Sequence, residues 1–403
     1  MSLLSYETSK NMLELLEVPK LRYENVPLSD ALGRVLACDV AAEYNDPQFP
    51  TASMDGYAIK FADQELATLT IVGTNPAGSD EQRVLQEGEC IKTFTGSKMP
   101  EGADTLLPIE NAEAVDGQIH IAQKVAKGFA VRAVGEGYKA GEILVRRGSR
   151  IGFVEIGVMA ALNQVHAKVV QKPRVSIVAT GSEIVDLGKT AQNDAQIRSS
   201  NNYTLAALFS AAGAQTVQLG VVGDEKSAIF KELENGLACA DILVTTGGVS
   251  VGDYDFVKDI VPRLGAEVIY KGVSIKPGRH IMLAKRGEKF IVSLPGFAYS
   301  SSVTAILYVL PLIAKMLGKE QPYSVVAAKL KEPFRKKTNL TEFRACNVCV
   351  EDGEYFVDFA GKKEGSSAIL INLLGESALM VSGEEDQTLE AGTFVNVILL
   401  EQF

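Results

Sequence analysis

A chain of 403 residues with 46% hydrophobic and 22% charged side chains has material for about two to four domains, and its balance excludes a disordered or fibrous protein. Forty Lys and Arg against fifty Asp and Glu give a net charge of −10, which argues against a broad phosphate-backbone footprint and hence against general nucleic-acid binding. The five cysteines are scattered and odd in number, so the expectation is reduced thiols in a cytoplasmic protein, not a disulfide framework.

In chain order, Met12, Leu13, Leu15 and Leu16 follow helical spacing, without the basic start and apolar core of a secretory leader. Residues 20 to about 170 break into short β-rich pieces punctuated by Gly, Pro and Asp, with Ile71–Val72, Cys90–Phe94 and Ile119–Ile121 as strand fragments. A helix is predicted at Ile151–Leu162, and Lys172-Pro173 marks a joint, since a residue before proline is biased away from helix.

From Arg174 the pattern alternates. Strands are predicted at Val175–Ala179, Thr216–Val222 and Ile242–Thr245, and helices at Tyr203–Ala212, Ala228–Leu237 and Phe256–Leu264. Such alternation predicts a parallel sheet covered on both faces, with ligands at the carboxyl ends of its strands. Two strands follow around Lys285–Glu288, then a helix over Val303–Leu317. Its apolar stretch contains Pro311 and stops at Lys315, short of the ~20 residues of a membrane-spanning helix, so no membrane association is expected. Beyond Gln321-Pro322, alternation at Phe343–Val350, Tyr355–Phe359 and Thr393–Leu400 predicts a small β-domain.

The sharpest local feature is the run Thr245–Asp255, with Gly247, Gly248, Ser250 and Gly252. Glycines let backbone amides approach an anion, a following helix start adds partial positive charge, and Asp253 and Asp255 could hold Mg²⁺ against a phosphate. The same residues would also make a tight turn with Asp caps. Ala179–Glu183 leaves a neighbouring strand end and carries Gly181 and Glu183; it reads equally as a helix start with a first-turn carboxylate, and Asp224 shares that ambiguity. Pro50–Ala58, containing Asp55, and Phe94–Ser97, containing Thr95, are turns that could line a polar cleft. Lys276-Pro277-Gly278-Arg279-His280 places cations beside a turn, able to receive an oxyanion or simply to be a solvated connection. The three histidines are too dispersed for a metal cluster, and Cys346 and Cys349 should face opposite sides of one strand.

In this order, Ser53–Ala58, Phe94–Gly96, Pro100–Asp104, Ala179–Glu183, Gly247–Asp253, Lys276–Gly278 and Leu294–Gly296 resemble the molybdopterin molybdenumtransferases, the bacterial MoeA proteins and the C-terminal domain of gephyrin. The resemblance spans nearly the whole chain. It implies an elongated multidomain protomer: residues 1–42 with 140–172 as an N-terminal helix and dimerisation domain, 43–139 as a β-rich insertion, 173–320 as an α/β domain similar to molybdopterin adenylyltransferases, and 321–403 as a β-barrel-like domain.

It also implies a reaction in which adenylylated molybdopterin and molybdate enter, the metal is inserted at the dithiolene and AMP leaves, with Mg²⁺ as cofactor. Carried over by motif, Asp55, Thr95, Glu183 and Asp255 would be catalytic, with Asp55, Asp253 and Asp255 as metal ligands. Gly181, Asp224, Gly247, Gly248, Ser250, Lys276, Pro277, Gly278, Arg279 and Pro295 would hold the substrates. The resemblance implies a homodimer with its active site between protomers, and a molybdopterin adenylyltransferase and recipient molybdoenzymes as partners.

The chain departs from the family pattern at particular places. Gly-Glu-Asp is here Gly135-Glu136-Gly137, Thr-Gly-Asp-Glu has Ser182, and Leu-Pro-Gly-Asn-Pro is Leu294-Pro295-Gly296-Phe297-Ala298. Arg279 and His280 keep the Lys-Pro-Gly turn cationic, which leaves tungstate open beside molybdate. The alternative is a divergent paralogue that binds molybdopterin or a partner as a carrier or scaffold without turnover.

Overall fold

The computed structural model describes residues 3–19, 22–79, 83–250, 252, 255–319, 321–363 and 367–400. The chain divides into one unit of Val26–Leu32 and Leu36–Ala167 and another of Met1–Asn25, Gly33–Val35 and Lys168–Phe403.

In the first unit, the strand fragments legible in sequence join one six-stranded sheet in the order Thr105–Pro108, Gly56–Ile59, Glu89–Thr93, Thr68–Asn75, Gln118–Ile121 and Ala112–Val115. Gly56–Ile59 is buried throughout because both faces are covered. Tyr57 and Ile59 enter a core with Leu69, Cys90, Leu107 and Ile119, while Ala58 joins Ala52, Met99 and Leu106 on the opposite face. The predicted helix appears at Phe153–Ala161, its Glu155 carboxylate accepting from the Gly152 amide at 2.8 Å.

The second unit contains the α/β sheet, ordered Gln215–Val222, Arg174–Thr180, Ile242–Thr246, Lys289–Leu294, Met282–Arg286 and Glu267–Lys271. The first four strands are parallel, and Met282–Arg286 pairs antiparallel with both of its neighbours, Lys289–Leu294 and Glu267–Lys271. The sheet is therefore mixed, because the short turn at Arg286–Lys289 returns the chain as a hairpin. Helices Asn201–Ala211, Lys226–Cys239 and Val257–Arg263 match the predicted ones within a few residues.

The long helix runs over Ala298–Met316, starting earlier than its apolar pattern. Its polar start is buried because the Ser302 and Thr304 hydroxyls donate to the carbonyls of Ala298 and Ser300 at 2.9 and 2.7 Å. It is long and apolar enough to cross a membrane by composition, yet 89% of that window is buried inside the protein, as a core helix would be. The first helix, Tyr6–Leu15, is capped by Ser5, whose Oγ accepts from the Thr8 amide at 3.1 Å.

Beyond residue 321, strands Thr341–Glu351, Glu354–Asp358, Val325–Leu330, Phe394–Leu399 and Ser377–Ser382 pair in that order, and the last returns to the first. The result is a closed five-stranded barrel. Closure depends on Thr341–Glu351, whose first half pairs with Ser377–Ser382 and whose second half pairs with Glu354–Asp358. Leu330, Phe334, Cys346, Val348, Met380 and Val397 fill its core.

Candidate active site

The carboxyl ends of Arg174–Thr180, Ile242–Thr246 and Lys289–Leu294 lie side by side in the parallel part of the sheet, and their loops touch. Gly247 and Gly248 have φ of +88° and +67°, where only glycine is unstrained. A Cβ on Gly247 would stand 2.6 Å from the Thr180 carbonyl oxygen, and one on Gly248 2.7 Å from Val257 Cγ2 and 2.9 Å from Thr180 Oγ1. The Gly247 amide donates to the Leu294 carbonyl at 3.1 Å, and Asn201 Nδ2 holds the Gly296 carbonyl at 2.8 Å. Pro295 sits between these anchors in sequence.

Further along the loop, Asp255 Oδ2 accepts from the Gly252 amide at 2.7 Å, and Lys258 Nζ donates to the carbonyls of Ser250 and Gly252 at 3.1 and 3.4 Å. Asp255 thus closes the turn back onto Gly252 while keeping a second carboxylate oxygen; it does not cap the following helix, whose N-cap, Phe256, has no side-chain cap bond. Asp253, an expected metal ligand, lies outside the described residues, as do Val251 and Tyr254. The helix that follows has only seven residues, so its partial charge is a smaller contributor than the glycine-loop amides.

The second loop is tied to Asp224. Its Oδ2 accepts from the Ser182 amide at 2.9 Å, and the Asp224 amide donates back to Ser182 Oγ at 3.1 Å. Ser182, where the family pattern has aspartate, is therefore a latch for Asp224. The Glu183 carboxylate folds over Gly181, whose missing Cβ would stand 2.6 Å from Oε2. Gly181, Glu183 and Asp224 consequently share one edge of the sheet.

Lys276 lies opposite Glu342 in a parallel bridge. Its Nζ is 3.3 Å from Glu342 Oε1, with Lys276 45% exposed and Glu342 only 7%; Thr338 Oγ1 donates to the same oxygen at 2.6 Å. Pro277 lines the same wall, and Gly278, at φ +100°, packs where a Cβ would stand 2.1 Å from Thr304 Cγ2. A cavity of about 480 Å³ opens here, lined by Lys276, Arg335, Lys337, Arg344, Lys362 and Lys363. Burial and then the neighbouring Arg279 push His280 below its usual value, with Asp255 opposing them. Sequence reading missed the barrel cations and Lys258. The barrel cations carry no local signal and reach Lys276 only through pairing of Ile275–Lys276 with Thr341–Glu342, whereas Lys258 stands three residues after Asp255.

In the other unit, Thr95 donates its amide and its hydroxyl to Asp55 Oδ1 at 2.8 and 2.7 Å. These two bonds, the amide first, hold the Asp55 carboxyl below its usual value, with Lys92 adding to the effect. Gly56 locks the turn, since a Cβ there would stand 2.3 Å from the Leu107 carbonyl oxygen. The exposed Asp55 is thus a preformed carboxylate.

No group of three or more His, Cys, Asp or Glu able to hold a metal occurs among the described residues. Asp55 in one unit and Asp255 in the other are each a single carboxylate of the kind Mg²⁺ takes, since that ion commonly uses one or two carboxylates and completes its octahedron with phosphate oxygens and water. Cys90 and Cys346 are not thiolate donors at neutral pH, because burial pushes both thiols up to about 12. Cys346 faces the barrel core while Cys349 is half-buried, in keeping with the alternation.

Residues 4–163 match the family model of the MoeA N-terminal region (domain I and II), and residues 176–315 that of a probable molybdopterin binding domain. A molybdopterin molybdenumtransferase from Nostoc sp. is 32% identical over 398 residues, covering 95% of this chain and 91% of that protein. The Bacillus subtilis protein of the same name is 29% identical over 390 residues, covering 94% and 90%. The crystal structure of a molybdopterin biosynthesis MoeA protein from Pyrococcus horikoshii superposes with a TM-score of 0.82 at 28% identity, covering 99% of this chain and 100% of that one. The chain belongs to the MoeA family of molybdopterin molybdenumtransferases.

Proposed function

We propose that this chain acts in molybdenum cofactor biosynthesis, inserting molybdate-derived metal at the dithiolene of adenylylated molybdopterin with release of AMP. The observation that carries this reading is the close packing of Gly247 and Gly248 against Thr180 at the ends of parallel strands. A phosphoanhydride needs amides that approach without side-chain bulk, and this loop presents backbone where side chains are sterically excluded. In a chain of net charge −10, local cations must offset the overall field. Lys276 and the cations of the 480 Å³ cavity are the groups that would hold the oxyanion, with Arg279 beside them.

In this reading Gly181, Ser250 and Pro295 help shape the nucleotide-phosphate site, while Glu183 and Asp224 border it. Asp55, oriented by Thr95, and Asp255, with Asp253 outside the described residues, are the carboxylates that would hold Mg²⁺. Mg²⁺ held by these carboxylates would supply charge neutralisation at the phosphate oxygens of the anhydride. The reading includes a homodimer whose active site forms between protomers, a molybdopterin adenylyltransferase as supplier and molybdoenzymes as recipients.

Expression in a bacterium lacking its own molybdenumtransferase tests the reading. Restored molybdoenzyme activity with the wild-type chain, and none with Asp55→Ala at equal expression, is the expected result. No restoration by a folded, well-expressed wild type would count against it and favour the carrier alternative.

A further inference from the structure

Gly137 is glycine without a conformational reason, because its φ lies outside the left-handed region. Its surroundings supply the reason. The Gly137 amide donates to the Asp46 carbonyl at 2.8 Å and the Asp46 amide to the Tyr138 carbonyl at 2.9 Å, so the two segments face each other as an antiparallel bridge. A Cβ on Gly137 would stand 2.6 Å from Asp46 Oδ2, 3.2 Å from the Asp46 carbonyl oxygen and 3.5 Å from Asp46 Cγ. The Asp46 carboxylate already fills the space that a side chain at position 137 would enter.

That carboxylate remains usable. Its side chain is 47% exposed, and its charged neighbour is Arg132, whose Nη2 is 3.8 Å from Oδ2 while Nε reaches Glu136 Oε1 at 3.1 Å. Arg132 stands opposite Thr51 in an antiparallel pair, on the segment that runs directly into Asp55. Ser53 fastens the same segment, its amide and hydroxyl donating to the Ala130 carbonyl at 2.9 and 3.1 Å. Asp46 and Asp55 thus belong to one short, pinned stretch of chain.

We propose that Asp46 supplies the carboxylate that the family pattern places at position 137, so that the Gly-Glu-Gly departure is compensated from the facing segment. A single acid serves there, because two carboxylates in that space would overlap and repel. This rests on the transferase reading, within which Asp46 is a further functional acid of the metal-transfer reaction. An acceptor-only group beside an arginine is suited to accept from a substrate N–H or to share a hard cation.

The test compares wild type, Asp46→Ala, Gly137→Asp and the double variant Asp46→Ala/Gly137→Asp. Single-turnover formation of AMP and metal-loaded cofactor is measured alongside the melting temperature. Asp46→Ala is expected to slow turnover on the order of 10²-fold with its melting temperature held. In the double variant the space is cleared of the Asp46 carboxylate, and most of the rate is expected to return. Gly137→Asp alone, with both carboxylates present, is expected to melt lower than wild type. Should Asp46→Ala fold poorly, the isosteric Asp46→Asn replaces it with the same expected loss of rate. Wild-type turnover in a folded Asp46 variant, or a double variant that melts like wild type without recovering rate, would overturn the assignment alone. A wild-type protein that forms no metal-loaded cofactor would overturn the transferase reading and this assignment with it.

Discussion

Thr95 spends both of its donors on a single oxygen of Asp55, with amide and hydroxyl reaching Oδ1 at 2.8 and 2.7 Å. These bonds favour the ionised form and lower the pKa, so removing one of them must raise it. Thr95→Val keeps the amide bond and deletes the hydroxyl. The acid limb of the pH–rate profile should therefore move to higher pH while the alkaline limb stays in place. An unmoved acid limb would show that Asp55 ionisation does not govern the rate. For stability, the contribution from Asp55 is present above its unfolded value and lost as pH falls through the lower folded one.

Gly247 and Gly287 separate two reasons for glycine. Both have positive φ, but a Cβ on Gly287 meets nothing within 4 Å, whereas one on Gly247 would stand 2.6 Å from the Thr180 backbone oxygen. Gly287→Ala should cost about 1 kcal/mol, the strain of a left-handed residue. Gly247→Ala should cost about 3 kcal/mol in urea unfolding and lose nucleotide binding as well. Equal costs at the two sites would contradict the close approach.

Lys258 holds two loop carbonyls, those of Ser250 and Gly252. Lys258→Met should loosen the loop and weaken AMP binding roughly tenfold, the size expected for lost charge-assisted hydrogen bonds, with the fold intact by circular dichroism. Calorimetric titration with AMP checks this, and unchanged affinity would remove Lys258 from the site.

Lys276 and Glu342 form the ion pair at the rim of the cationic cavity. Lys276→Gln should raise the molybdate concentration needed for half-maximal turnover by roughly tenfold and leave the affinity for AMP nearly constant. Some stability should also be lost, because Glu342 is buried and would keep, among the described residues, the Thr338 hydroxyl as its hydrogen-bond partner. A larger effect on AMP than on molybdate would reverse the assignment of the two anion sites.

Much of the fold is legible because local pattern and tertiary demand agree. Val175–Ala179 and Ile242–Thr245 are apolar runs that become central strands buried on both faces. The glycine loop is legible for a similar reason, since its residues are adjacent in sequence. What sequence hides is register between distant segments. Lys276 meets Glu342 across a bridge, and Asp46 fills the Cβ space of Gly137; neither relationship leaves a periodic trace. The early start of the Ala298–Met316 helix is hidden because Ser302 and Thr304 satisfy their hydroxyls on the helix itself and Ser300 donates to the Ser367 carbonyl, so a polar run is buried without looking apolar.

The proposed reaction couples metal transfer to loss of AMP. An anaerobic single-turnover reaction with adenylylated molybdopterin and Mg²⁺, with molybdate, tungstate or neither, measures both products in one sample. The expected result is AMP released only when an oxyanion is present, with one metal-loaded cofactor formed for each AMP. Tight substrate binding without either product, or AMP release indifferent to oxyanion and without loaded cofactor, would contradict it.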